Sequence, residues 1–375
     1  MEKKKQLLLV EALAVRNDSG LGSMARLFVD ALRGFSDFAD IHVIVPRACP
    51  YRPPDNCHVI AVTAKPLRWW IQIVFPLLIM RMRPDAVFCL GQTLPNWRPA
   101  SRYALAVPDA GPLEDLGWPT SSHDAYNRRW LKSMVPRADS IVAISAFTKA
   151  RLASLLTLSP DKIKVVFPVR PTRWKENTDP RLPVAAFSPG KHPPGEYFLA
   201  IGNLEPRKNF PGLIAAYALL RKKRPDAPPL YIVGHLAWGA SEAAEAIARH
   251  AMEDRIHLTG YLSDPDRRAY LEHCRCFISS SLYEGWGLPL YEALAARKAS
   301  IYHAGSSQEE FAQGSALAVD CRNPASLAEA MERLWSDAEA RRRLGEGLAA
   351  AFPAVEAYDL EDALRSVLAP LLLRA

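Results

Sequence analysis

The chain has 375 residues, of which 49% are hydrophobic and 23% charged. This length and apolar content suit two folded domains and exclude intrinsic disorder as the main state. The charge is uneven: residues 1–190 contain 26 Lys and Arg against 16 Asp and Glu, a net +10, whereas residues 191–375 have a net charge of −3. The two halves are therefore expected to meet different partners.

Three lysines follow Met1 and Glu2, and a short apolar run spans residues 7–10. Glu11 interrupts this run and Arg16 follows, which is not the pattern of a cleavable signal peptide. We therefore predict a buried first strand. No stretch contains the roughly 18 or more uncharged apolar residues that a spanning helix needs. The sequence predicts a cytoplasmic protein.

Short apolar runs alternate with amphipathic stretches along the whole chain. This alternation predicts an α/β fold with parallel sheets. The predicted strands are residues 7–10, 41–45, 58–62, 86–89, 103–107, 140–144, 164–167, 197–201, 230–233, 256–258, 276–279 and 300–303. The predicted helices include residues 24–32, 147–155, 210–224, 241–251, 265–273, 290–297, 324–335, 338–351 and 360–373.

A proline-rich, aperiodic stretch between Arg170 and Gly195 is typical of an interdomain connection. We predict an N-terminal domain over residues 1–183 and a C-terminal domain over residues 184–358. Residues 359–375 are predicted to form a helix that packs back on the N-terminal domain. Parallel sheets of this kind bind ligands at the carboxyl ends of their strands.

Two glycines, Gly20 and Gly22, follow the first predicted strand and precede a helix. A glycine loop at a helix N-terminus suits a phosphate. An ordinary turn between a strand and a helix is the alternative interpretation, and the spacing alone does not exclude it.

Two adjacent cations, Arg207 and Lys208, follow the strand that ends near Gly202. Arg207 offers a planar fork for phosphate oxygens and Lys208 a compact charge. Together they are suited to neutralise a diphosphate leaving group without a metal ion.

The most informative segment is residues 280–294, which follows a strand and opens a helix near Leu288. Gly285 and Gly287 allow the backbone to approach a ligand closely, and the amides of residues 286–288 face outward at a helix N-terminus. Two carboxylates, Glu284 and Glu292, are suited to accept hydrogen bonds from sugar hydroxyls. This pattern predicts a site for a nucleotide-sugar.

With these motifs in chain order, the sequence resembles retaining glycosyltransferases of family 4. Their architecture is GT-B, two doubly wound Rossmann-like domains that face a cleft. The matching segments cover nearly the whole chain. They are the glycine loop with Gly20 and Gly22, Ser145–Thr148, Gly202–Asn209, the glutamate pair Glu284 and Glu292 of an E-x7-E pattern, and Ser306–Glu310.

The resemblance implies a role for each matching residue. Arg207 and Lys208 would hold the donor diphosphate, and Glu284 would contact hydroxyls of the donor sugar. Glu292 would bind the nucleotide ribose. The remaining donor-binding positions would be Gly20, Gly22, Gly202, Gly285, Trp286, Gly287, Leu288 and Glu310, the last on a supporting loop.

One departure concerns the first domain, where many relatives have His-Asp and this chain has Pro108 before Asp109. The acid is kept as a catalytic candidate, and the histidine contact to the sugar is lost. The missing histidine motivates an alternative, a non-catalytic partner subunit of the same fold. A sugar-nucleotide epimerase is a further alternative.

The resemblance implies transfer of a hexose with retention of anomeric configuration, for surface polysaccharide or lipopolysaccharide synthesis. The donor would be a nucleotide-sugar, with GDP-mannose favoured over UDP-sugars and mannose or a deoxyhexose as the sugar. The acceptor would be a glycan or a lipid-linked glycan. No separate cofactor is expected, and nucleic acid is disfavoured because the basic residues form no clustered runs.

No metal site is predicted. Asp264 and Asp266 form a D-x-D before a helix and are interpreted as a helix N-cap. Cys274 and Cys276 beside His273 are interpreted as buried thiols.

The segment from Lys65 to Phe75 combines cations, paired tryptophans and aliphatic residues. Such a segment suits either the headgroup region of an anionic membrane or a helix packed on the first sheet. If it meets the membrane, the protein is peripheral on the cytoplasmic face of the inner membrane.

Overall fold

The computed structural model describes residues 5–17, 20–91, 94–99, 101–116, 122–169, 196–236, 239–346 and 358–373. The chain divides into two compact units, one formed by Met1–Arg170 with Asp359–Ala375 and the other by Pro171–Tyr358. The predicted boundary between residues 183 and 184 lies outside the described residues. No helix in the described ranges is long and apolar enough to cross a bilayer.

The first unit contains a seven-stranded, wholly parallel sheet in the order β3-β2-β1-β4-β5-β6-β7. Its central strands are runs of Val, Leu, Ile and Ala buried on both faces, as parallel strands covered by helices must be. The strands are β1 Gln6–Glu11, β2 Ala39–Pro46, β3 Cys57–Val62, β4 Ala86–Cys89, β5 Arg102–Val107, β6 Ser140–Ala143 and β7 Ile163–Val165.

In the described part of this unit, four helices precede the connection to the second unit. They are α1 Gly20–Asp30, α2 over residues 67–82, α3 Ser122–Met134 and α4 Ala146–Leu156. Within α2, a π-helical turn at Trp70–Val74 separates the α-helical segments Leu67–Trp69 and Phe75–Met82.

The second unit has a six-stranded parallel sheet in the order β10-β9-β8-β11-β12-β13. The strands are β8 Phe198–Ile201, β9 Leu230–Val233, β10 Ile256–Gly260, β11 Cys276–Ser279, β12 Ser300–His303 and β13 Leu317–Val319. The helices are α5 Phe210–Lys223, α6 Ala240–Arg249, α7 Asp264–His273, α8 Leu288–Ala295, α9 Glu309–Ala312, α10 Pro324–Ser336 and α11 Ala338–Gly345.

The last helix, α12 Leu360–Leu373, returns to the first unit. It buries Leu364 and Leu368, and the backbone oxygen of Leu371 accepts a hydrogen bond from Arg102 Nη1 of β5 at 3.2 Å. Arg365 forms an ion pair with Asp37 at 3.0 Å. A helix at the end of the chain therefore completes the core of the unit that begins the chain.

In both sheets the strand order reverses next to the first strand of the unit, between β1 and β4 and between β8 and β11. The chain leaves these neighbouring strands in opposite lateral directions. The crevice that this leaves at their carboxyl ends is where ligands of doubly wound sheets bind. In the second unit, the segments that leave β8 and β11 are the two that contain the predicted diphosphate and sugar contacts.

The twelve predicted strands are confirmed to within two residues at each end. The thirteenth, Leu317–Val319, was missed because a three-residue edge strand that is partly exposed has little apolar pattern. The first helix begins at Gly20 rather than residue 24, so the predicted glycine loop is the first turn of a helix.

Candidate functional site

The centre of the site is a charge cluster between two loops of the second unit. Arg207 Nη1 lies 3.0 Å from Glu284 Oε2, and Arg207 Nε lies 2.9 Å from Glu205 Oε2. Lys208 Nζ donates a hydrogen bond to the other oxygen of Glu284, Oε1. The tertiary structure thus brings together three residues that the sequence placed in two separate motifs.

The two cations differ in burial. The side chain of Lys208 is 9% exposed, as is that of Glu284, whereas the side chain of Arg207 is 35% exposed. Lys208 therefore forms the buried base of the cluster and Arg207 its accessible edge.

Burial by itself would raise the pKa of Glu284, but the charges of Lys208 and Arg207 and the hydrogen bonds from Lys208 and Ser281 outweigh it and lower that pKa to about 2. Glu284 is consequently an anion at neutral pH. Burial also lowers the pKa of Lys208, and Arg207 adds to this effect while Glu284 opposes it. The carboxylate holds two cations that would otherwise repel each other.

Gly202, at the end of β8, leaves room for the lysine. A Cβ at this position would lie 3.2 Å from Cε and 3.3 Å from Cδ of Lys208. The glycine that the sequence marked as a candidate for binding donor is thus a packing partner of the buried cation. Its predicted contact with donor stays a prediction.

Side-chain and backbone hydrogen bonds tie the two loops together. Ser280 Oγ donates to the backbone oxygen of Lys208 at 2.7 Å, and the amide of Leu282 donates to the backbone oxygen of Arg207 at 2.8 Å. Ser307 Oγ donates to the backbone oxygen of Glu284 at 2.7 Å. These three bonds fix the backbone that presents the cluster. Sequence analysis assigned no role to Ser280 or Ser307.

The segment after Glu284 leads into α8, which begins at Leu288 as predicted. After Gly285, Trp286 is buried with its ring centroid 4.7 Å from that of Phe311. Gly287 has φ +97°, and a Cβ there would lie 2.4 Å from Gln308 Nε2. Only glycine adopts this backbone without strain, so the turn at the helix N-terminus depends on it.

Glu292 lies within α8 and is paired with Arg267 of α7, which also contacts Asp264 at 3.4 Å. Sequence reasoning missed Arg267 as a partner of Glu292, because nothing in its own helix marks it.

The predicted N-cap of α7 at Asp264 or Asp266 is wrong. Ser263 caps this helix, and its Oγ accepts a hydrogen bond from the Asp266 amide at 3.3 Å.

Glu310 is in the first turn of the short helix α9 and is partly buried. The predicted loop at Glu310 is therefore wrong, because this residue is helical. In the same segment, the Ser307 hydroxyl donates a hydrogen bond to the backbone oxygen of Glu284 and so supports the charge cluster.

The other predicted site residues belong to the first unit. Asp109 follows β5, and its Oδ1 accepts a hydrogen bond from the Gly111 amide at 2.9 Å. Gly22 is inside α1, where a Cβ would lie 1.8 Å from the backbone oxygen of Asn17. Gly20 has no neighbour within 4 Å of such a Cβ. The structure therefore gives Gly22 a packing function, and the phosphate contact stays a prediction.

The chain has two parallel-sheet α/β units, and the second has a charge cluster where its strand order reverses. Comparison with known proteins shows which proteins share these features. Residues 185–349 match the family described as "Glycosyl transferases group 1". This chain is 29% identical to "O-antigen chain mannosyltransferase B" of Escherichia coli over 175 residues, which are 45% of this chain. That match spans 44% of the relative's length.

Solved structures with little sequence identity share the architecture over nearly the whole chain. The glycosyltransferase WaaG, described as involved in lipopolysaccharide biosynthesis, matches 98% of this chain and 100% of its own with a TM-score of 0.72 at 13% identity. Alr3699/HepE of Anabaena, solved in complex with UDP-glucose, matches 97% of this chain and 99% of its own, with a TM-score of 0.67 at 15% identity. The fold is GT-B. The predicted resemblance to glycosyltransferases is confirmed, and the assignment of Glu284 and Glu292 to an E-x7-E pattern stays a prediction.

Proposed function

We propose that this chain is a glycosyltransferase that transfers a hexose from a nucleotide-sugar to a glycan or lipid-linked acceptor. The observation that carries the proposal is the cluster of Arg207, Lys208 and Glu284 at the carboxyl ends of β8 and β11. It offers a diphosphate two cations and a sugar one ionised carboxylate within one small volume. The family match over this half of the chain supports the same activity.

The donor diphosphate would draw Arg207 from Glu284 and accept hydrogen bonds from both cations. We infer a front-face reaction with retention. The bond between the anomeric carbon and the diphosphate oxygen breaks, and a bond from the acceptor oxygen forms on the same face. The acceptor proton passes to the departing phosphate. Two fixed cations lower the barrier because they stabilise the negative charge that develops on this phosphate in the transition state.

The other carboxylates complete the proposed assignment. Glu292 would bind the ribose, and Arg267 would hold its carboxylate in place when donor is absent. Asp109 stays a catalytic candidate that the family resemblance implies. These roles rest on the family resemblance and on the charge of the groups, and the reaction needs no metal ion.

The proposed sugar is mannose or a deoxyhexose, with GDP-mannose preferred over UDP-sugars. The relative from Escherichia coli supports mannose by its description, and the description of WaaG supports a destination in lipopolysaccharide synthesis. The UDP-glucose bound to the Anabaena structure keeps UDP-sugars among the candidates.

A donor screen followed by transfer assays tests the proposal. We expect GDP-mannose to raise the melting temperature of the full chain, since a ligand that binds only the folded state stabilises it. Addition of a lipid-linked glycan should then release GDP in the presence of EDTA and give a product with the donor's anomeric configuration by NMR. Donor conversion without acceptor would instead indicate an epimerase. Binding without turnover of any donor would indicate a partner subunit.

We further propose that α2 contacts an anionic membrane. One face of this helix exposes four apolar side chains at helical spacing, Trp69, Ile73, Leu77 and Met80. Exposed basic residues flank the stripe: Lys65, Arg68, Arg81 and Arg83. Apolar residues bordered by cations suit the headgroup region of an anionic bilayer, on which a lipid-linked acceptor would be presented.

The opposite face of α2 packs on the first sheet through residues such as Phe75. The packing on the sheet thus involves one face of α2 and leaves the other face for the proposed membrane contact.

Vesicle sedimentation tests this contact. The full chain should bind vesicles that contain phosphatidylglycerol at low salt, and binding should fall as ionic strength rises. Ile73→Ser combined with Leu77→Ser should weaken binding by about tenfold, because each side chain is about half exposed and so contributes roughly 0.8 kcal/mol when it enters the bilayer, half of the value for full burial. Leu219→Ser, at an exposed leucine of the second unit, is the matched control. Equal binding of both variants would contradict the proposal.

A further inference from the structure

A second cluster of polar side chains lies on the sheet of the first unit, and it contains none of the residues assigned so far. Asp40 and His42 are two positions apart in β2, so their side chains emerge on the same face of the sheet. His58 of the edge strand β3 is the direct register partner of His42. The sheet therefore places one carboxylate and two imidazoles side by side.

Two distances within this cluster are close to those between the ligands of one metal ion. His42 Nε2 lies 3.5 Å from Asp40 Oδ2, and His58 Nε2 lies 3.3 Å from Asp40 Oδ1. The ligand atoms of the three residues all lie within 4.8 Å of one another. Ligands bound tetrahedrally to Zn²⁺ at 2.0–2.1 Å are about 3.3 Å apart.

The chemistry of the three groups selects the kind of ion. Two imidazoles favour Zn²⁺, Cu²⁺ or Ni²⁺ over Mg²⁺ and Ca²⁺, which prefer oxygen ligands. The side chains of Asp40, His42 and His58 are 45%, 23% and 68% exposed, so an ion reaches them from solvent and water can occupy the fourth position. The half-buried His42 supplies the anchored ligand.

We propose that Asp40, His42 and His58 form a site for a divalent transition-metal ion, with Zn²⁺ the best match. The ion would join the edge strand β3 to β2 and stabilise the first unit. Strand positions preorganise the ligands better than loop positions do, since the sheet fixes their spacing. The site is independent of the proposed transfer reaction, which uses other residues.

Titration of the metal-free full chain with Zn²⁺ and Co²⁺ tests the site. We expect one equivalent of Zn²⁺ to bind and to raise the melting temperature. Co²⁺ should give the visible absorption bands of a low-coordinate nitrogen–oxygen site. His58→Asn should weaken binding by about tenfold or more, as loss of even an outer partner of a metal site costs 10- to 100-fold in affinity. His58 is mostly exposed, so its replacement leaves the fold intact.

His235→Asn is the matched control, since His235 is an exposed histidine of the second unit, stacked on Tyr261. It should bind Zn²⁺ as the unchanged chain does. Two results would overturn the proposal: the absence of saturable binding by the unchanged chain, or equal affinity of the chain with and without His58. In either case the three residues would form only an ion-pair cluster of histidines with Asp40.

Discussion

Replacement of Lys208 by methionine is expected to lower the rate of sugar transfer by about 10²- to 10³-fold, the loss typical when one group that stabilises transition-state charge is removed. Lys208 is the buried cation of the cluster and is held against Glu284. Methionine keeps much of the volume and removes the charge that would face the departing phosphate. Steady-state turnover of the preferred donor with its acceptor measures the effect.

A stability control separates this loss from misfolding. Removing one partner of a buried ion pair typically costs about 3–5 kcal/mol in the free energy of unfolding, because the other charge remains buried. Lys208→Met and Glu284→Gln should each be destabilised in urea unfolding, and the double variant should regain part of the loss. If transfer follows the proposed mechanism, the double variant stays inactive. Turnover at the unchanged rate in Lys208→Met would reject the assignment.

Gly22→Ala is expected to destabilise the protein by about 3 kcal/mol or more, in the range of strongly overpacked substitutions. Its new methyl group would lie 1.8 Å from the backbone oxygen of Asn17 and 3.0 Å from that of Ala14. That backbone cannot yield easily, because Arg26 Nη1 donates to the oxygens of Val15 at 2.8 Å and Asn17 at 3.2 Å.

Gly20→Ala is the matched control in the same helical turn. Its methyl group would meet nothing within 4 Å, so stability should change by about 1 kcal/mol or less, as alanine favours the helix. Thermal and urea unfolding of the two variants measure the contrast. Equal stability of both variants would show that the packing of α1 against residues 14–17 is not needed. A loss of donor affinity in stable Gly20→Ala would instead support the predicted phosphate contact.

Much of the fold was predictable because parallel strands buried on both faces are continuous apolar runs, as in Ala86–Cys89 and Leu230–Val233. The donor-site segments were recognisable for a related reason. Their glycines and charged residues interrupt the pattern just after such runs, where ligands of doubly wound sheets bind. The charge pairing inside the site was not predictable, because Arg207 and Glu284 are 77 residues apart in sequence.

The sequence alone predicted twelve of the thirteen strands found in the described residues, the α/β class and the segments that contribute Arg207, Lys208, Glu284 and Glu292. Those features depend on local apolar patterns and short motifs. Only the tertiary structure decided what each charge faces: Glu284 between two cations, Glu292 against Arg267, and Asp40 beside two histidines. These contacts depend on strand order and register, which bring distant residues together and leave no mark in the local sequence.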